Sequence, residues 1–139
     1  MTGSGFDLGL GDAAQGGVYF VAPSDLDSLG AAGRDAGLIV RRVDLSGCEG
    51  KHALLLRFST QLDFPDSTGR NWDALTDRLR DLQWLGGEGY VLLLDDARAL
   101  RRRDGASINT LLEVLEDASQ FWIAQNVPFW AFVALDEED

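Results

Sequence analysis

FPDSTGRNWDALTDRLRDLQW, residues Phe64 to Trp84, reads as a tight turn that runs into an amphipathic helix. Pro65 fixes one φ angle, and Asp66, Ser67, Thr68 and Gly69 are residue types that favour backbone reversal. Asn71 stands where an N-cap belongs, its side-chain oxygen able to accept an amide hydrogen two or three residues on. From Trp72 the period becomes helical: Trp72, Leu75, Leu79 and Leu82 recur at the spacing of one buried face. Asp73, Asp77 and Asp81 fall four apart, and at about 100° per residue their stripe points away from the apolar one.

A row of like charges is an expensive way to solvate a helix. Each such pair costs roughly 0.2–0.5 kcal/mol, and Asp is a mediocre helix former. The helix dipole favours Asp73 near the start and disfavours Asp81 near the end. Arg70, Arg78 and Arg80 each lie three residues from an Asp and return part of the cost. Two readings follow: a solvated outer face, or an anionic surface kept for a partner.

The pattern FP-x-x-x-G-x-NWDAL, with an Asp two residues after the Leu, resembles the signature of the barstar family, intracellular inhibitors of barnase-type ribonucleases. The resemblance is strongest over residues 43–135. It implies that the loop and helix form an inhibitory surface, with Asp77 entering the nuclease active site in place of a substrate phosphate. Asp73 would lie one turn before it, Asn71 at the junction, and Thr76 and Asp81 along the same helix. Ser67 and Gly69 would offer loop backbone groups, and Asp117, on a later helix, would stand at the rim. Family members usually carry an aromatic in the loop where this chain has Ser67 and Thr68, and the family's namesake has Trp at the place of Thr76. Large aromatics are frequent interface anchors, so these departures bear on which partner is bound rather than on the fold.

The rest of the chain is compatible with that reading. Its 139 residues suit one domain with a real core, and 45% hydrophobic content places it among globular proteins. Twelve basic against 23 acidic residues give a net charge of −11. That argues against an independent nucleic-acid binder, which needs a basic footprint, and favours a cationic protein partner. One cysteine, Cys48, permits neither an internal disulfide nor a cysteine-based zinc site. With no membrane-length apolar run and no basic leader after Met1, the expected location is the cytoplasm.

Residues 1–17 are rich in glycine and small polar residues and read as a flexible arm, with 18–139 forming a single domain. Gly9-x-Gly11-x-x-Ala14 has the spacing of a dinucleotide motif but precedes the first strand instead of following one. VYFVA (18–22) reads as a strand, and a helix from Ser24 towards Ala36, interrupted by Gly30 and Gly33, leads to a second strand at 38–45. Together they predict a parallel βαβ unit added to the N-terminal side of the family-like portion. Residues 51–62 read as a helix, YVLLL (90–94) as a buried strand, 97–103 as a short helix, 106–125 as a long amphipathic one, and FWAFVAL (129–135) as the last strand. The expected fold is therefore α/β: a small, mostly parallel sheet of three to four strands with packed helices.

Against the inhibitor reading stand two alternatives. One is a regulatory interaction module of the same fold with a non-nuclease partner. The other is a carboxylate- or metal-dependent enzyme using Asp95 and Asp96, at the carboxyl end of a strand where open sheets place ligands, with His52 nearby. No nucleophile elbow, P-loop or metal-spacing motif supports the enzyme, and no cofactor is implied. The simpler role for Asp96 is to cap the helix that follows, and His52 fits a helix end. Arg98, Arg101, Arg102 and Arg103 form the chain's basic cluster, read as a counterweight to nearby carboxylates.

Overall fold

A computed structural model describes residues 9–135. Residues 1–8 of the expected arm and the expected acidic tail at 136–139 lie outside the described residues. Four strands, β1 (Gly17–Phe20), β2 (Ile39–Asp44), β3 (Tyr90–Asp95) and β4 (Phe129–Val133), form one all-parallel sheet in the order β1-β4-β3-β2. Among the described residues five α-helices accompany it: α1 (Leu26–Asp35), α2 (Lys51–Gln61), α3 (Trp72–Leu79), α4 (Ala97–Arg103) and α5 (Gly105–Ala124).

Composition explains the strand order. YVLLL and FWAFV are apolar at every position, buried throughout, and take the two central places. β2 carries Arg41, Arg42 and Asp44 and forms one edge, where its arginines pair with Asp63, Asp27 and Asp95 at 3.2, 2.9 and 2.8 Å. β1, only four residues long with Tyr19 and Phe20 exposed, forms the other. β1 and β2 are thus parallel but not adjacent. The expected βαβ unit exists as a crossover of the whole sheet, with β4 and β3 inserted between its strands.

The pleat divides the core in two. Leu92, Leu94, Ala131 and Val133 face α2, α3 and α5, packing with Phe58, Leu75, Leu79, Leu111 and Leu115. Val91, Leu93, Trp130 and Phe132 face the other way, against Leu26 and Leu29 of α1. Gly33 has a packing purpose here: an added Cβ would stand 2.9 Å from Val91 Cγ2 and 3.0 Å from Val40 Cγ2. Glycine weakens α1 locally, yet lets it lie flat on the sheet.

Residues 9–17, expected as part of a loose arm, are held in place. Leu10 is buried in the second core, and its carbonyl accepts a hydrogen bond from the Trp130 indole at 2.9 Å. Asp12 caps a 3-10 turn, Ala13–Gln15, that leads straight into β1. A buried indole N–H needs an acceptor, and the glycine-rich segment supplies it.

Candidate protein-binding face

The loop before α3 hangs from the core by Phe64, whose amide donates to Ser59 O at 2.9 Å and whose ring meets Trp84 edge-on at 5.7 Å. The Trp84 indole donates to Leu62 O at 2.9 Å. A turn then forms through the Thr68 amide and Pro65 O, 2.9 Å apart. Asn71 caps α3 as its side chain predicts, accepting from the Ala74 amide at 2.7 Å. Gly69 allows close packing beneath this cap: a Cβ there would lie 3.2 Å from Asn71 Nδ2.

On α3 the apolar side is buried through Leu75 and Leu79, with Trp72 half-buried. Asp73 and Asp77 project from the opposite side and are exposed, and among the described residues neither makes an ion pair or hydrogen bond. One turn apart, they form a short anionic ridge. Ser67, Gly69 and Asn71 are exposed beside it. Thr76 is half-buried and turns back, donating to Trp72 O at 2.9 Å.

Asp81 does not belong to this ridge. α3 ends at Leu79, Arg80 leaves helical geometry, and Leu82 takes a left-handed conformation at φ 54° with its side chain fully buried. Residues with a Cβ resist that conformation by about 1–2 kcal/mol. Burying Leu82 and seating Trp84 on Phe64 outweigh it. The reversal carries Asp81 inward to within 4.0 Å of Arg78, with one carboxylate oxygen buried and without a hydrogen-bond partner. The expected stripe of three aspartates is therefore two.

Burial, and secondarily the charge of Asp81, push the Tyr90 phenol above its ordinary pKa. Because burial disfavours the phenolate, a folded-state value above the unfolded one, about 10, costs nothing below pH 10, where the phenol is protonated in both states. Stability is lost as pH rises from there through the folded value, because only the unfolded chain releases the proton freely. Urea midpoints should therefore fall above about pH 10 in the wild type and fall less in Tyr90→Phe. Because the phenol's contacts with Leu82 O and Gly87 O are long, 3.4 Å each, Tyr90→Phe should be nearly silent at neutral pH. Equal alkaline slopes for both proteins would contradict this.

α5 braces α3 from the side. The Trp122 indole donates to Leu79 O at 2.8 Å, and Arg80 lies over the Phe121 ring at 5.9 Å from its centroid. Asp117 is exposed one turn before Phe121. It thus stands on the flank of α5 that borders the end of α3.

At the alternative centre, Asp95 is engaged in an ion pair of the sheet edge, with Arg42 at 2.8 Å, and together with Asp27 it raises the arginine's pKa. Asp96 occupies the N-cap position of α4 at φ 61°, but its side chain makes no capping bond. His52 is exposed in the first turn of α2. Among the described residues no three His, Cys, Asp or Glu side chains converge as metal ligands, and no helix is long and apolar enough to cross a membrane. Sequence reasoning passed over Arg78, Trp84 and Trp122 as supports of the face. The indole positions, one just after the helix and one on the neighbouring helix, were the available signal for the last two.

Comparison with curated proteins finds no match. Among solved structures the fold resembles the Aeropyrum pernix ORC2 protein, solved as ADPNP-ADP complexes, with a TM-score of 0.53 and 18% identity. The likeness covers 87% of this chain and 35% of that one, and it is a likeness of fold alone. A family model described as Barstar (barnase inhibitor) matches residues 38–134, from the start of β2 past the end of β4, leaving β1 and α1 outside it. With most of its length covered by that match, the chain belongs to the barstar (barnase inhibitor) family.

Proposed function

We propose that this protein inhibits a cationic nuclease, of barnase type or a nuclease toxin, by seating the carboxylates of α3 where the substrate phosphate would lie. The supporting observation is that Asp73 and Asp77 stand exposed, uncompensated and one turn apart on a braced helix beside an ordered loop. In this reading Asp77 meets the Arg or Lys residues that grip phosphate, through short charge-assisted hydrogen bonds. Asp73 supports a neighbouring cation. Ser67, Gly69 and Asn71 contact the rim of the cleft, Thr76 borders it, and Asp117 adds negative charge at the periphery. Inhibition is by occlusion and involves no chemistry by the inhibitor. The site of action would be the cytoplasm.

A purified barnase-type ribonuclease titrated with the full chain tests the proposal directly. RNA cleavage should stop at stoichiometric inhibitor. With a net charge of −11, association should also be steered, its rate falling about tenfold or more from low to high salt. An association rate indifferent to salt would remove steering from the mechanism. Undiminished cleavage by every nuclease tried would leave the regulatory module as the better account.

A further inference from the structure

The loop that borders the anionic ridge is short, polar and without regular structure between Phe64 and Asn71. Such a segment loses affinity to ordering when it binds, unless something inside the protein has already fixed it. The candidate is a single guanidinium. Arg78 Nε donates to Thr68 Oγ1 at 2.8 Å, the guanidinium carbon lies 5.9 Å from the Trp84 ring centroid, and Nη1 stands 4.0 Å from Asp81. Trp84 is itself fixed by Phe64 and by Leu62 O. The arginine side chain is only 26% exposed. Thus one planar group joins the loop tip, the helix that carries the aspartates and the chain after that helix.

We infer that Arg78 is a positioning residue: it clasps Thr68 to α3 and so holds the loop in its partner-binding shape, without itself being offered to the partner. The inference rests on the proposed role of this face in nuclease binding. It also divides the two loop residues that stand where an aromatic is usual in the family. Thr68 is half-buried and committed inward, which leaves exposed Ser67 as the one available to a partner. A lysine could keep the charge near Asp81, but it has no second nitrogen plane to bond Thr68 while stacking on Trp84.

The test uses the full chain as wild type, Thr68→Val and Arg78→Lys. Thr68→Val removes the acceptor and preserves the shape; Arg78→Lys preserves net charge and hence steering. The first readout needs no partner: hydrogen exchange of the Thr68 amide, which bonds Pro65 O, against the Leu75 amide, which bonds Asn71 O inside α3. In both variants the Thr68 amide should exchange about tenfold faster, with Leu75 and the melting temperature little changed. The second readout is the inhibition constant against a purified barnase-type ribonuclease, which should weaken about tenfold in both variants. Unchanged Thr68 exchange overturns the clasp. Faster exchange with unchanged inhibition overturns its role in presentation. If the wild type does not inhibit at all, the proposed function fails, and hydrogen exchange alone still decides whether the clasp exists.

Discussion

Replacing Asp77 by alanine should abolish useful inhibition while leaving the fold intact. In the proposed complex the carboxylate sits among cations that have lost their water. Removing one partner of a buried ion pair costs about 3–5 kcal/mol, because the other charge is left uncompensated. That range corresponds to a weakening of about a hundred- to several-thousand-fold. In the free protein the same side chain is exposed and makes no ion pair, so stability should change by no more than about 0.5 kcal/mol. Alanine is also the better helix former, and its introduction relieves a like-charge neighbour in Asp73. Asp77→Asn keeps the shape and one acceptor, so a comparable loss there would identify charge as the active ingredient. Asp81→Ala supplies the contrast. Half-buried and turned towards Arg78, Asp81 should affect urea stability and leave the ridge itself unaltered. A titration in which Asp77→Ala inhibited as well as wild type would sink the phosphate-mimic mechanism, whatever the fold.

The contrast between Asp77 and Asp81 also shows how far the sequence could be read. Periodicity is a local signal, and over residues 72–79 it gave the correct face for Trp72, Leu75 and Leu79 and for Asp73 and Asp77. It carried on to Leu82 because Leu82 is indeed buried, but buried through a reversed backbone, which no spacing rule encodes. The helix stop is decided by tertiary packing of Leu82 and Trp84, without the glycine that usually marks such a stop. The strands were legible for a related reason: uninterrupted apolar runs mark central strands of a parallel sheet. Their order was less so. Neither β1 nor β2 holds local information that two strands from later in the chain will separate them. Residues 9–17 looked loose because composition reports propensity, whereas they are held by the burial of Leu10 and by its long-range hydrogen bond from Trp130. Arg78 read as a charge returning part of a helix cost, and only geometry shows the loop hydroxyl it holds.

The second large effect is expected at Trp122, which no partner would touch. Its ring packs with Tyr90 at 5.5 Å and Phe121 at 5.1 Å, and its indole caps the carbonyl of Leu79 at the very end of α3. Trp122→Ala should destabilise the protein by about 3–5 kcal/mol, the usual result of emptying a large aromatic site. Against a typical total of about 5–15 kcal/mol, that is a substantial part of the whole. Trp122→Phe separates packing from polarity. It keeps an aromatic ring but strands a buried Leu79 carbonyl, at a cost of about 1–3 kcal/mol. Urea denaturation of both variants gives the two values. The functional consequence follows from position: Leu79 lies half a turn beyond Asp77, so losing this bond frees the end of the helix that carries the key carboxylate. In Trp122→Phe, inhibition should weaken by less than in Asp77→Ala, through a faster dissociation rate with association unchanged, because the charges that steer encounter remain. If Trp122→Phe proved as stable as wild type, the Trp122–Leu79 bond would not be what braces α3, and the rigidity attributed to the face would need another source.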